Sequence, residues 1–118
     1  MVTLTNSALS SLPTPLEKAG IDGFFDNNFN LSDVSAFKPH PATYDMVAKY
    51  YGVEPSHMCM VACHLWDIIG AQAFGCRGGF VARPHNSMLD LQNLPKPDFV
   101  AKNLRDLAHQ IITANVAI

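Results

Sequence analysis

The run from Met58 to Asp67 constrains the fold of this chain more than any other stretch. Mostly apolar residues, Met58-Cys59-Met60-Val61-Ala62, lead into Cys63-His64-Leu65-Trp66-Asp67, and Gly70-Ala71 follow. An apolar strand that carries a carboxylate to its C-terminal tip, just before a helix, is where open α/β folds place their chemistry.

The rest of the chain reads as a frame for that tip. Val2 to Thr5 is a strand stub, and Asn6 and Ser7 offer cap oxygens to a helical stretch. Thr14-Pro15-Leu16-Glu17 is a second helix start, with a capping Thr, a Pro in the first turn and Glu17 three residues after the cap. Gly20 stops it. Asn28 to Leu31 reads as a short strand before the turn at Ser32-Asp33. Pro39 and Pro41 fix the entry to a helix with Tyr44, Val47, Ala48 and Tyr51 on one face, ended by Gly52. After the strand Met58 to Ala62, a helix runs through Ala71 and Phe74 to Gly75. Gly79 to Ala82 is a further strand, 85–97 a polar loop, and Phe99-Val100 a last edge strand. Leu104, Leu107, Ala108 and Ile111 mark a final amphipathic helix. This alternation predicts an α/β fold, a parallel sheet with helices packed on its faces, in one domain over residues 1–118.

Composition narrows the function classes. With 118 residues, 48% hydrophobic and 15% charged, the chain suits one modest globular domain. A net charge of -2 and no basic run argue against nucleic acid or an anionic membrane as partner. No apolar stretch approaches the roughly 20 residues of a membrane span. The N-terminus lacks the basic and apolar regions of a signal peptide. Cys59, Cys63 and Cys76 fit reduced thiols in the cytoplasm. On a strand Cys59 and Cys63 would lie ~13 Å apart, too far to share a zinc ion with His64.

Three places lie where such a sheet binds ligands. Thr5-Asn6 follows the first strand, and its hydroxyl, amide and adjoining helix N–H groups suit an anion as well as a plain cap. Lys38, in Phe37-Lys38-Pro39-His40-Pro41, is pinned by two prolines that would aim an otherwise solvated ammonium. Asp67 sits at the strand tip, where it also suits the helix macrodipole.

In this order the three resemble the haloacid dehalogenase superfamily of hydrolases, and most of all its type II 2-haloacid dehalogenase branch. There a Ser/Thr-Asn pair ends a core strand, as in Leu4-Thr5-Asn6-Ser7. A Lys-Pro motif precedes a helix, as at Lys38-Pro39, and an active-site tyrosine follows six residues on, as Tyr44 does. The acidic motif often reads Asn-x-Trp-Asp followed by Gly-Ala, as in His64-Leu65-Trp66-Asp67 and Gly70-Ala71. Two departures stand out. The family's first motif, which bears the nucleophilic aspartate, and the cap insertion after it both precede the Thr-Asn pair. Here only four residues, none acidic, precede Thr5. The chain thus resembles the C-terminal part of a dehalogenase, a Rossmann-like core without its first strand and cap. In the acidic loop, Ala62 and His64 stand where the family commonly has serine and asparagine.

The resemblance implies a covalent mechanism on a 2-haloacid or similar small carboxylate. An aspartate displaces halide to form an ester, and water then attacks the ester carbonyl. Lys38 would hold the nucleophile, and Asp67, with His64, would activate the water. Thr5, Asn6, Tyr44 and Trp66 would contact the substrate. No cofactor is expected. Mg²⁺ would enter only for a phosphatase of the same superfamily, and no second carboxylate follows Asp67 through Ile68, Ile69, Gly70 and Ala71. A flavodoxin-like binding module without chemistry is a further alternative, for which Thr5, Lys38 and Asp67 would lie more than about 12 Å apart.

In the superfamily the first strand runs between the strand ending at Thr5 and the one ending at Cys63. Unpaired buried backbone groups there would each cost ~1–3 kcal/mol. Either those strands pair directly, or a complementary N-terminal half or a second copy completes the sheet, or the chain folds poorly. The isolated chain is expected to be inactive.

Overall fold

A computed structural model describes residues 1–8, 12–89 and 92–116. In chain order the elements are β1 (Val2–Leu4), α1 (Pro15–Lys18), β2 (Asn27–Phe29), α2 (Pro41–Tyr51), β3 (Cys59–Ala62), α3 (Leu65–Phe74), β4 (Arg77–Val81), β5 (Phe99–Ala101) and α4 (Leu104–Val116). Single 3-10 turns occupy Asp22–Phe24, Leu31–Asp33 and Pro55–His57. No helix among the described residues is long and apolar enough to cross a membrane.

Every strand pair is parallel, but the strands fall into two sheets, β1-β2 and β3-β4-β5. Direct pairing of β1 with β3 does not occur among the described residues. The two sheets are held by shared helices instead. Tyr44 of α2, Ala71 of α3 and Cys76 form one apolar cluster, joined by Leu4 from β1 and by Met58 and Met60 at β3. Phe29 of β2 meets Tyr50 and Tyr51 at the end of α2 edge-on, with centroids 5.4 and 6.2 Å apart.

Helices cover both faces of the larger sheet because successive strand residues face opposite ways. On β4, Gly78 faces Ile68 and Gln72 of α3, whereas Gly79 faces Leu107 of α4. Val81, Ala101 and Leu107 form the second core cluster, with Cys63, Phe99 and Ile111 packed around it.

Local chemistry explains the helix ends. His40 caps α2, its Nδ1 accepting the Ala42 N–H at 3.1 Å, and Pro41 starts the helix. Gly52 and Gly75 close α2 and α3 with left-handed φ of 62° and 112°. Thr14 caps α1 as expected: its Oγ1 accepts the Glu17 N–H, and it donates to Glu17 Oε1.

Other expectations need correction. Among the described residues no helix starts at Asn6-Ser7, a bend, and residues 9–11, where the expected helical stretch would continue, lie outside the described set. The segment around Pro15 is a single turn, because Gly20 follows almost at once with φ 70°. The second strand ends at Phe29, and Leu31 belongs to a 3-10 turn, where the Asp33 carboxylate accepts the Asn30 N–H. β4 begins at Arg77, since Gly78 lies in the ladder opposite Met60.

Burial pushes the Cys59 thiol up to about 11, helped by the Asp98 carboxylate and opposed by Arg77. Its ordinary value is 9.0. Below pH 9 folded and unfolded chains both keep the proton, so the contribution to stability is fully present. Between 9 and about 11 the unfolded thiol ionises first and stability falls. The urea midpoint of the wild type is therefore expected to drop across this window, and Cys59→Ala to flatten part of the drop.

Candidate active site

Lys38 and Asp67 meet. The ammonium lies 3.1 Å from Asp67 Oδ1, with the two side chains only 9% and 6% exposed. Oδ1 makes no hydrogen bond, so the contact has the distance of an ion pair without the alignment of a hydrogen bond. Asp67 sits in the first turn of α3, where the N-terminal end of the helix favours negative charge. Two opposite charges removed from water together offset much of each other's desolvation.

Three contacts hold this pair from behind. The Tyr44 hydroxyl donates to the Asp67 carbonyl at 2.9 Å, fixing the first turn of α3 against α2. Tyr44 is almost wholly buried, and burial, with the Asp67 charge adding to it, raises its hydroxyl well above the ordinary value. Expected at the substrate, Tyr44 lies in the core with its hydroxyl on the Asp67 backbone. Gly70 lets Pro39 come close: a Cβ there would lie 2.4 Å from Pro39 Cβ and 2.7 Å from the Tyr44 oxygen. Gly70→Ala should therefore separate α3 from the Lys38 loop and cost ~1–3 kcal/mol in urea unfolding. The third contact is Asn6, whose Oδ1 accepts the Lys38 N–H at 2.7 Å while Nδ2 donates to the Lys38 carbonyl at 3.3 Å.

The remaining expected residues, Thr5, His64 and Trp66, are exposed. The Thr5 Oγ1 accepts the Ser7 N–H at 3.1 Å. His64 stacks on Trp66, ring centroids 5.7 Å apart and planes 21° off parallel. His64 stands at the N-cap of α3 without capping it through its side chain, which leaves the imidazole free for other contacts.

Sequence reasoning passed over Asn86. Its Nδ2 donates to the Cys63 carbonyl at 2.8 Å and ties the loop after β4 to the tip of β3. No periodicity marks a lone Asn in a polar loop, so nothing in the sequence singles it out. Among the described residues no group of three or more His, Cys, Asp or Glu could hold a metal ion.

A family model described as HAD-hydrolase-like matches residues 36–107, which contain Lys38, Tyr44, His64, Trp66 and Asp67. The chain is 32% identical over 107 residues to (S)-2-haloacid dehalogenase 2 of Pseudomonas sp. (strain CBS-3), covering 91% of this chain and 46% of that protein. It also superposes on the L-2-haloacid dehalogenase of Xanthobacter autotrophicus with chloropropionic acid covalently bound. That match has a TM-score of 0.72 and 26% identity, and covers 82% of this chain and 48% of the other. The L-2-haloacid dehalogenase RSc1362 gives a TM-score of 0.75 at 25% identity, covering 86% and 44%. The chain spans slightly less than half the length of these proteins.

Proposed function

The chain belongs to the HAD-hydrolase-like family, and from that premise we propose that it carries the lysine and the acidic loop of a hydrolase acting on small 2-haloacids. The observation that supports this most is the buried Lys38–Asp67 pair beside the tips of β1 and β3. A cation held there can steady a nucleophilic carboxylate, and an acid held there can take a proton from water.

The proposed reaction has two steps. A carboxylate oxygen of the nucleophile attacks C2 of the haloacid, and the halide leaves with the carbon–halogen electrons. Water then gives a proton to Asp67 or His64 and attacks the carbonyl of the resulting ester. This releases the 2-hydroxy acid and restores the carboxylate. Lys38 offsets the negative charge in both steps, while Thr5, Trp66 and His64 line the open side that substrate would enter. The proposed reaction assigns no step to Mg²⁺, and the position of the Lys38 ammonium against Asp67 Oδ1 supports the lysine as the cation of the site.

Asp67 is the acid paired with Lys38 among the described residues, and in the proposed reaction it acts on the water while the nucleophile is assigned to another segment. β1 and β3 each keep one edge without a partner among those residues, and such edges accept an added strand through main-chain hydrogen bonds. A complementary half, or a second copy of the chain, would bring that strand. The three free cysteines support a reducing, cytoplasmic setting.

The test is chloride release from 2-chloropropionate. The chain alone is expected to release none above a Lys38→Ala, Asp67→Ala control. Combined with the half of the Pseudomonas relative that it does not cover, it should turn over, with or without EDTA. Turnover by the chain alone contradicts the need for a second segment. Mg²⁺-dependent hydrolysis of p-nitrophenyl phosphate in place of chloride release would assign the site to a phosphatase.

A further inference from the structure

Asn6 and Lys38 stand 32 residues apart, yet the Asn6 amide grips the Lys38 backbone at both ends, N–H and carbonyl. This is how a neighbouring strand grips a peptide, and it fixes the direction in which the residue projects its side chain. Lys38 is also held at its far end, where the ammonium meets Asp67. The contact crosses between the sheets: Asn6 follows β1, whereas Asp67 follows β3. We propose that Asn6 is a positioning residue: its side-chain amide holds the Lys38 backbone so that the ammonium stays on Asp67.

These two bonds take one N–H and one lone pair of the amide, so its second N–H still faces away from Lys38. The side chains that resemble asparagine do not replace it. Aspartate keeps an acceptor for the Lys38 N–H but turns a second acceptor toward the Lys38 carbonyl, and alanine offers neither group. The proposal rests on the hydrolase reading only in treating Lys38 as functional. Its test reads the ammonium itself, so the two can fail separately.

The full chain is acetylated with an N-hydroxysuccinimide ester, and each lysine is followed by peptide mass spectrometry. Lys49, exposed on α2, and Lys102 serve as internal references. Loss of two hydrogen bonds is expected to raise the Lys38 rate about tenfold in Asn6→Ala, with both references unchanged. Asn6→Asp should also raise it, and Ser7→Ala, in the same turn, should leave it at the wild-type rate. An unchanged Lys38 rate in either Asn6 variant overturns the proposal. So does a parallel rise in alkylation of the buried Cys76 thiol in both variants, which would make Asn6 a residue of general stability.

Discussion

Lys38→Met is expected to destabilise the chain by ~3–5 kcal/mol in urea unfolding followed by Trp66 fluorescence. The size comes from burial, not from the length of the ion pair. Lys38 and Asp67 are 9% and 6% exposed, so removing the ammonium strands a carboxylate away from water. The exposed Lys49–Asp45 pair on α2 is shorter, 2.7 Å, yet its side chains are 78% and 38% exposed. Lys49→Met should therefore cost no more than ~0.5 kcal/mol. The double variant Lys38→Met, Asp67→Leu should recover most of the loss, because it leaves no unpaired charge. If Lys38→Met and Lys49→Met cost the same, the buried pair contributes nothing particular.

That contrast bears on how the sequence can be read. α2 and α3 are legible in it because Pro41, Gly52 and Gly75 punctuate them and their apolar spacing matches a helix period. The approach of Lys38 to Asp67 has no local signal. The two lie 29 positions apart in sequence (67 − 38) and meet at 3.1 Å, and only the order of the motifs suggested the meeting. Tyr44 was legible as a position and not as a role, since only packing shows its hydroxyl turned inward to the Asp67 carbonyl. Asn6 reads as a cap in sequence, because Asn commonly begins helices. Its actual partner is the backbone of Lys38, reached through tertiary folding. α1 shrank to one turn for a local reason: a sound cap cannot carry a helix past Gly20 when no core lies beneath it, and none of its residues is buried.

Asp67→Asn should divide the proposed reaction between its steps. Asparagine keeps the shape of the side chain but cannot accept a proton from water. In the completed enzyme, halide release is expected to stop near one equivalent per site, with steady turnover down by ~10²–10⁴-fold. The first step should survive, because in the proposed reaction it draws on the carboxylate of another segment. The ester should persist as a covalent adduct on that segment, visible by mass spectrometry. The substitution also leaves the Lys38 ammonium without its counter-charge, so loss of folding must be distinguished from loss of base. The burst makes the distinction, since only folded sites release the first halide and its amplitude counts them. His64 sharpens the assignment further. If the imidazole is the base, Asp67→Asn will keep turning over, and His64→Ala will show the single burst in its place. If neither substitution arrests the second step, water is activated by a group outside this chain, and the acid at the tip of β3 serves Lys38 alone.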